Sequence, residues 1–115
     1  MDTEKREHAR RQCELESSYK NLDEVKPGHP AETVIRDISE GGIRFRVNDF
    51  VSVHNKLLFK ISRPRHRSIE ALAQPAWIRE SPNINQYDIG SKFLSLSDED
   101  REVLRQFAAS LPVSA

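Results

Sequence analysis

The sequence predicts a mainly β fold, a six-stranded antiparallel β-barrel with one C-terminal amphipathic α-helix. Three observations support this prediction. Six short segments have the alternating or β-branched pattern of strands, turn-forming residues separate them, and only the end of the chain has the period of a helix. A chain of 115 residues is long enough for one such domain. The helix is expected to lie over one open end of the barrel.

The N-terminal half is predicted to contain an arm and three strands. Residues 1–12 are almost wholly polar and have no apolar period, so we expect a flexible arm. Apolar and polar residues alternate over residues 13–19, which predicts the first strand. A turn-rich segment separates it from a β-branched strand at residues 31–37. Residues 39–42 then predict a turn whose two glycines can take positive φ, before a third strand at residues 43–47.

The C-terminal half is predicted to add three more strands. Residues 56–62 form the fourth, and the basic run at residues 63–67 is expected to be an exposed loop. The fifth strand covers residues 69–79, where Pro75 cannot donate a ladder hydrogen bond and so indicates an edge or a bulge. The sixth covers residues 86–94. These three strands bring the predicted number of strands in the barrel to six.

The end of the chain changes to a helical period. Ser97, followed by three acidic residues, predicts an N-cap and a helix that starts at Asp98. Pro112 should stop this helix at about residue 111, so the barrel and helix together span residues 13–111. Gly90, in the middle of the last strand, indicates a close approach between chain segments. The apolar stripe of the helix consists of Val103, Leu104, Phe107, Ala108 and Leu111.

Composition and charge exclude several classes of partner. The net charge is zero, with 18 basic and 18 acidic residues, so we expect no binding of DNA or RNA and no attraction to anionic lipid. The apolar runs are far shorter than the roughly 20 residues that span a bilayer, so no membrane insertion is expected. The charged N-terminus lacks the apolar core of a signal peptide, and a cytoplasmic location is therefore predicted.

The sequence also lacks the patterns of common catalytic sites. Cys13 is the single cysteine, which excludes an internal disulfide and a cysteine zinc cluster. The histidines at positions 8, 29, 54 and 66 do not have metal-ligand spacing. No phosphate-binding glycine-rich loop and no nucleophile motif is present. A binding protein without a cofactor is predicted, rather than an enzyme.

Two short motifs suggest what the protein binds. Residues 6–10 have the form RxxxR and residues 37–42 the form D/NxSxxG, in the order and strand context of PilZ domains. The similarity continues through Trp77, residues 87–93 and the C-terminal helix, so that the chain resembles a PilZ domain over roughly residues 5–111. PilZ domains are small bacterial β-barrels that bind the second messenger cyclic di-GMP. The resemblance therefore implies a receptor for this nucleotide.

The resemblance also implies which residues bind the ligand, and arginine suits the chemistry. A planar guanidinium pairs with phosphate oxygens, recognises guanine O6 and N7, and stacks on a base. Ligand binding is then expected to order the arm, which would make binding a conformational switch. Lys5 lies at a position associated in the family with binding of one ligand or a stacked pair, and a cation there is compatible with the pair. The main ligand-binding residues implied are Arg6, Arg10, Asp37, Ser39 and Gly42, and a second set is Lys5, Arg11, Gly41 and Trp77.

Each of these residues has a simpler structural interpretation. The arm arginines can be a solvated basic segment, and Asp37 and Ser39 can cap a turn through their own hydrogen bonds. Trp77 can pack against the barrel without touching a ligand. The basic run at residues 63–67 is assigned no role.

The function predicted from the sequence is a bacterial cyclic di-GMP receptor that signals through an unidentified effector protein. The family's roles in motility, biofilm and exopolysaccharide control indicate the processes involved. One alternative is a PilZ-fold adaptor that binds protein and no cyclic di-GMP. Another is a small-barrel binder of single-stranded nucleic acid, against which the zero net charge and the 7% aromatic content argue.

Overall fold

The computed structural model of the chain describes residues 11–24, 30–63, 65–82 and 85–111. These residues form a closed antiparallel barrel with the strand order β1-β2-β3-β6-β5-β4 and one C-terminal helix, so the predicted fold class is confirmed. The elements are β1 (Arg11–Asn21), β2 (Ala31–Ser39), β3 (Gly42–Val47), β4 (Leu57–Arg63), β5 (His66–Glu80), β6 (Tyr87–Ser95) and α1 (Asp98–Ala109).

The interior of the barrel is filled by every second side chain of the strands, as the alternating sequence requires. Three aromatic rings, those of Tyr19, Phe45 and Phe59, meet in the centre, with ring centroids 4.8–5.9 Å apart. Branched aliphatic side chains surround them. The fully buried large side chains are Phe45, Phe59, Ile35, Ile38, Leu57, Ile61, Ile69, Ile89 and Leu104.

Each strand differs from its predicted bounds by one to three residues at one or both ends, and two of these differences have a clear structural reason. Strand β1 begins at Arg11 instead of residue 13, because its ladder with β2 continues to the pair Arg11 and Ile38. The exposed loop predicted at residues 63–67 is too long, because β4 continues to Arg63 and this residue already pairs with His66 of β5. Arg65 in the turn between them has a φ of 62°, as short hairpin turns commonly require.

Pro75 lies at an irregularity between β5 and β6, where the pairing shifts between Pro75 and Trp77. The predicted bulge is therefore confirmed. The alternative prediction, that Pro75 lies on an edge strand, is wrong, because the barrel is closed and β5 has a neighbouring strand on both sides. The bulge accommodates the missing N–H of proline within a paired strand.

Helix α1 begins where the sequence predicts. The Ser97 hydroxyl accepts a hydrogen bond from the Asp100 backbone N–H at 3.0 Å, which caps the first turn. The helix ends at Ala109, two residues before the predicted end. The residue before a proline avoids the helical conformation, which accounts for an end before Leu111.

The helix lies at the end of the barrel that contains the β2–β3 and β4–β5 turns. Arg101 donates to the Glu40 carbonyl at 3.4 Å, and Arg67 in β5 pairs with Glu99 and Asp100 at 3.0 and 3.2 Å. The helix residues Leu104 and Ala108 join the buried cluster of the barrel. The opposite end of the barrel has no helix in the described residues.

We expect Leu104→Ala to lower the free energy of unfolding by about 2–5 kcal/mol, because it leaves a cavity under α1. Leu104 is fully buried, whereas Leu94 is 41% exposed and provides a matched control. Urea unfolding followed by circular dichroism measures the difference. Equal midpoints for Leu104→Ala and Leu94→Ala would contradict the packing of α1 on the barrel.

Candidate ligand-binding site

The turn between β2 and β3 is held by Ser39. Its hydroxyl accepts a hydrogen bond from the Gly41 N–H at 3.1 Å and lies 3.5 Å from the Gly42 carbonyl, to which it donates. The simpler interpretation of Ser39, a turn-closing serine, therefore agrees with the geometry. The Gly41 carbonyl accepts from the Phe93 N–H at 3.0 Å, so β6 also holds the turn.

The two glycines of the turn do not take the positive φ that glycine allows. None of the glycines in the described residues has a positive φ. Position 42 requires a glycine because there is no space for a side chain. A Cβ atom there would lie 2.0 Å from the backbone oxygen of Ser91. Gly42 therefore permits a close approach between β3 and the neighbouring strand β6.

Asp37 lies near the end of β2 and is only 3% exposed. Its Oδ2 accepts a hydrogen bond from Arg44 Nε on β3. Its Oδ1 is buried and has no hydrogen-bond partner among the described residues. A buried carboxylate oxygen without a donor is costly, so this atom is a strong candidate for contact with an incoming N–H group.

Arg44 also connects Asp37 to a second ion pair. One Arg44 guanidinium nitrogen is 3.7 Å from Asp88 on β6, and Arg46 binds the same carboxylate at 2.9 and 3.5 Å. The outer surface of β2, β3 and β6 therefore holds two half-buried guanidinium groups beside two buried carboxylates. We call Asp37, Arg44, Arg46 and Asp88, with Trp77 described below, the motif face.

The site residues predicted from the sequence do not include Arg44, Arg46 or Asp88. The alternating sequence of β3 could have identified the two arginines, since it places both on the outer side of the strand, opposite Phe45 and its buried neighbours. The position of Asp88 beside them depends on the pairing of β3 with β6, which the local sequence does not specify.

Trp77 adds an aromatic ring to the motif face. Gly90 of β6 pairs with both Arg44 and Trp77, and the half-buried indole covers Gly90 so closely that a Cβ there would lie 2.3 Å from the ring. The close approach predicted at Gly90 is confirmed. The Arg79 guanidinium lies 5.3 Å from the centre of the indole ring. Trp77 therefore packs against the outside of the barrel, not in its core.

A shallow depression of about 430 Å³ adjoins the motif face, lined by Cys13, Glu14, Arg36 and Arg44. The thiol of Cys13 is half-buried and lies 3.5 Å from the Ile35 carbonyl. Burial, with a further contribution from the negative charge of Asp37, raises the pKa of Cys13 to about 12. The thiol is therefore protonated and unreactive at neutral pH.

We expect iodoacetamide to alkylate Cys13 in the folded protein at pH 8 at least ~100-fold more slowly than in urea, where the thiol has its ordinary pKa of about 8.5. The reaction of the folded protein should accelerate as the pH rises toward 12, because the thiolate fraction increases. Mass spectrometry of timed samples measures both rates. Equal rates in the folded and unfolded states would contradict the burial of this thiol.

The structure brings together only some of the residues that the sequence analysis assigns to the site. One end of β2 and β3 contains Asp37, Ser39, Gly41 and Gly42. Trp77 lies on β5, which is separated from β3 by β6. Arg11 begins β1, where its backbone pairs with Ile38. Lys5, Arg6 and Arg10 lie outside the described residues.

Within residues 11–24, 30–63, 65–82 and 85–111, no three side chains of His, Cys, Asp or Glu are grouped so that they could hold a metal ion. In the same part of the chain, the helix is too short and too polar to cross a membrane.

Comparison with known proteins gives a consistent result for fold and family. The family model described as PilZ domain matches residues 4–110. The structure of Bacillus subtilis inhibitor of motility, MotI/DgrA, is similar over 94% of this chain, with a TM-score of 0.76 and 21% identity. This chain covers 51% of that protein, about half its length. The PilZ domain of Escherichia coli YcgR with c-di-GMP is similar over 94% of this chain and 92% of its own, with a TM-score of 0.71 and 16% identity. No curated protein sequence matches this chain.

Proposed function

The chain belongs to the PilZ domain family, and on this basis we propose that it is a receptor for cyclic di-GMP that signals through a partner protein. The site of binding is proposed to be the motif face together with the RxxxR segment. The structural neighbour YcgR, whose PilZ domain was solved with c-di-GMP, supports this choice of ligand for the fold.

The observation that carries the proposal is the buried Oδ1 of Asp37, which has no hydrogen-bond partner among the described residues. Guanine presents N–H donors that a carboxylate can accept, and such charge-assisted hydrogen bonds are stronger than neutral ones. Because Oδ1 is covered, the ligand must displace a neighbouring side chain to reach it. Arg44 is the cation in contact with this carboxylate, and its side chain is 26% exposed.

The other residues of the site have complementary roles in this proposal. The guanidinium groups of Arg6 and Arg10 would bind phosphate and guanine, as the RxxxR motif suggests. Trp77 offers an aromatic ring on the same face, 5.3 Å from the cation of Arg79. Ser39 and Gly42 act mainly by shaping the β2–β3 turn, which sets the position of Asp37. Lys5, Arg11 and Gly41 are proposed as further contacts.

Calorimetric titration of the purified protein with cyclic di-GMP tests this proposal, with Arg10→Ala as the paired variant. We expect saturable binding at micromolar or tighter affinity, and its loss in Arg10→Ala. The stoichiometry distinguishes one bound ligand from a stacked pair. If neither calorimetry nor an independent fluorescence assay detects binding, the receptor proposal is wrong and a protein-binding adaptor is the better interpretation.

The downstream step is proposed to be contact with another protein in the cytoplasm. The neighbour MotI/DgrA is described as an inhibitor of motility, which makes motility the first process to examine. Neither hydrolysis of the nucleotide nor a metal ion has a part in this proposal.

A further inference from the structure

The guanidinium group of Arg44 lies between the two buried carboxylates of the motif face, Asp37 and Asp88. Asp37 is directly opposite Arg44 in the pairing of β2 with β3. On the other side of β3, the residue opposite Arg44 is Gly90, which has no side-chain acceptor, and Asp88 is the diagonal neighbour on β6. Arg44 can therefore reach one carboxylate on each neighbouring strand.

The two contacts of Arg44 are unequal. Its Nε donates a hydrogen bond to Asp37 Oδ2, whereas a terminal nitrogen of the same group lies 3.7 Å from Asp88 Oδ1, beyond hydrogen-bond distance. Arg46 binds Asp88 through Nε at 2.9 Å. A carboxylate has about four acceptor positions, so Asp88 can accept a further N–H group while it holds Arg46.

The nucleotide proposed for this face requires Arg44 to move. Guanine presents two adjacent donors, N1–H and N2–H, on one edge, and this pair matches the two oxygens of a carboxylate. At Asp37, Oδ1 is buried and Oδ2 accepts from Arg44. Guanine therefore gains access to both oxygens when the Arg44 guanidinium withdraws from this carboxylate.

A displaced guanidinium needs a new partner, because the Arg44 side chain is only 26% exposed and a buried charge without a counter-ion is costly. Two further carboxylates are near it, Asp88 and Glu14, which lines the adjoining depression. Glu14 is exposed and already pairs with Arg36 at 3.2 Å, and exposed ion pairs contribute little. The buried carboxylate of Asp88 is the stronger partner, since solvent ions screen it less.

We propose that Asp88 is a positioning residue of the ligand site, which receives the guanidinium of Arg44 when guanine replaces that group on Asp37. The transfer uncovers Asp37 and keeps a positive charge on the face that binds the dianionic ligand. It rests on the proposed binding of cyclic di-GMP, and it adds to the site a residue that lies outside both sequence motifs.

Calorimetric titration of Asp88→Asn with cyclic di-GMP tests the proposal, with Glu14→Gln as the matched control. Each variant replaces a carboxylate near Arg44 with the amide of the same shape. Charge alone predicts that either change strengthens the binding of a dianion. We expect Asp88→Asn instead to weaken binding at least ~10-fold, because the displaced Arg44 loses its partner. Glu14→Gln should change the affinity by less than ~2-fold.

Double variants separate an effect through Arg44 from a general structural effect of Asp88. In an Arg44→Gln background, Asp88→Asn should no longer weaken binding, because no guanidinium has to be received. In an Arg46→Gln background the weakening should persist. Double-mutant cycles measure this coupling. Circular dichroism of each variant shows whether the barrel is intact.

A measurement on the wild type needs no substitution at Asp88. The hydrogen bond from Arg44 Nε to Asp37 breaks in the proposed transfer, so NMR spectroscopy of the isotope-labelled protein should show a shift of the Arg44 Nε–H resonance when cyclic di-GMP saturates the site. An unchanged resonance in the saturated protein would show that Arg44 stays on Asp37.

Two further results would overturn the proposal. One is binding by the wild type together with equal affinities of Asp88→Asn and Glu14→Gln. The other is a loss of affinity in Asp88→Asn that is the same with and without Arg44. A wild type that does not bind cyclic di-GMP would be a different result, because it overturns the receptor proposal and the role of Asp88 with it.

Discussion

Replacement of Asp37 with alanine is expected to weaken cyclic di-GMP binding at least about 100-fold, measured by calorimetry. The variant removes both carboxylate oxygens, including the buried Oδ1 that has no partner among the described residues. Hydrogen bonds to a charged group contribute about 1.5–3 kcal/mol each, and two of them correspond to about 100-fold or more in affinity. Asp37→Asn keeps one acceptor oxygen and should fall between the wild type and Asp37→Ala.

Arg36→Ala is the matched control for this prediction. Arg36 is the neighbouring residue of β2, and its exposed guanidinium pairs only with the exposed Glu14, at 3.2 Å, among the ion pairs of the described residues. Its removal should change the affinity by less than about 2-fold, because exposed ion pairs contribute little. Circular dichroism of each variant shows whether the barrel is intact. Wild-type affinity in a folded Asp37→Ala protein would exclude this carboxylate from the site.

Replacement of Gly42 with alanine is expected to destabilise the fold by about 3 kcal/mol, near the upper end of what added methyl groups in tight packing commonly cost. The added Cβ would lie 2.0 Å from the Ser91 backbone oxygen, so β3 and β6 must separate at this point. Urea unfolding measures the loss. An unchanged unfolding midpoint would show that the two strands are not so close in solution.

Gly90→Ala provides the comparison, because its Cβ meets the Trp77 side chain and not the backbone. A side chain can rotate away, so Gly90→Ala should cost less than Gly42→Ala. In a Trp77→Ala background the cost of Gly90→Ala should largely disappear. A double-mutant cycle of these two positions measures that coupling.

The elements that the sequence predicts well are those with a local signal. The alternation of residues 43–47 and the capping group at Ser97 specify a strand and a helix start without reference to the rest of the chain. The six strands and the bulge at Pro75 follow from the same kind of pattern. The RxxxR and D/NxSxxG motifs likewise indicated the family, which the match over residues 4–110 establishes.

The features that the sequence does not predict depend on which strands become neighbours. Asp88 meets Arg46 only because β6, and not β4, pairs with β3. The requirement for a glycine at position 42 has the same origin, since the obstacle is Ser91 of β6, distant in the sequence. The freedom of glycine to take positive φ is a local property, whereas the close contact between β3 and β6 is what requires a glycine at position 42. The loop at residues 63–67 was predicted too long, because no glycine or asparagine marks the shorter β4–β5 turn that contains Arg65.

Closure of the barrel has a consequence for how this protein can be recognised. Every strand of the described residues already has a hydrogen-bonded neighbour on each side, since β1 pairs with β4 as well as with β2. A partner therefore finds no strand that is free along its whole edge, which is what recognition by an added strand uses. Recognition through side chains is favoured instead, and its specificity is then determined by surface residues that can change without altering the hydrogen bonds of the barrel.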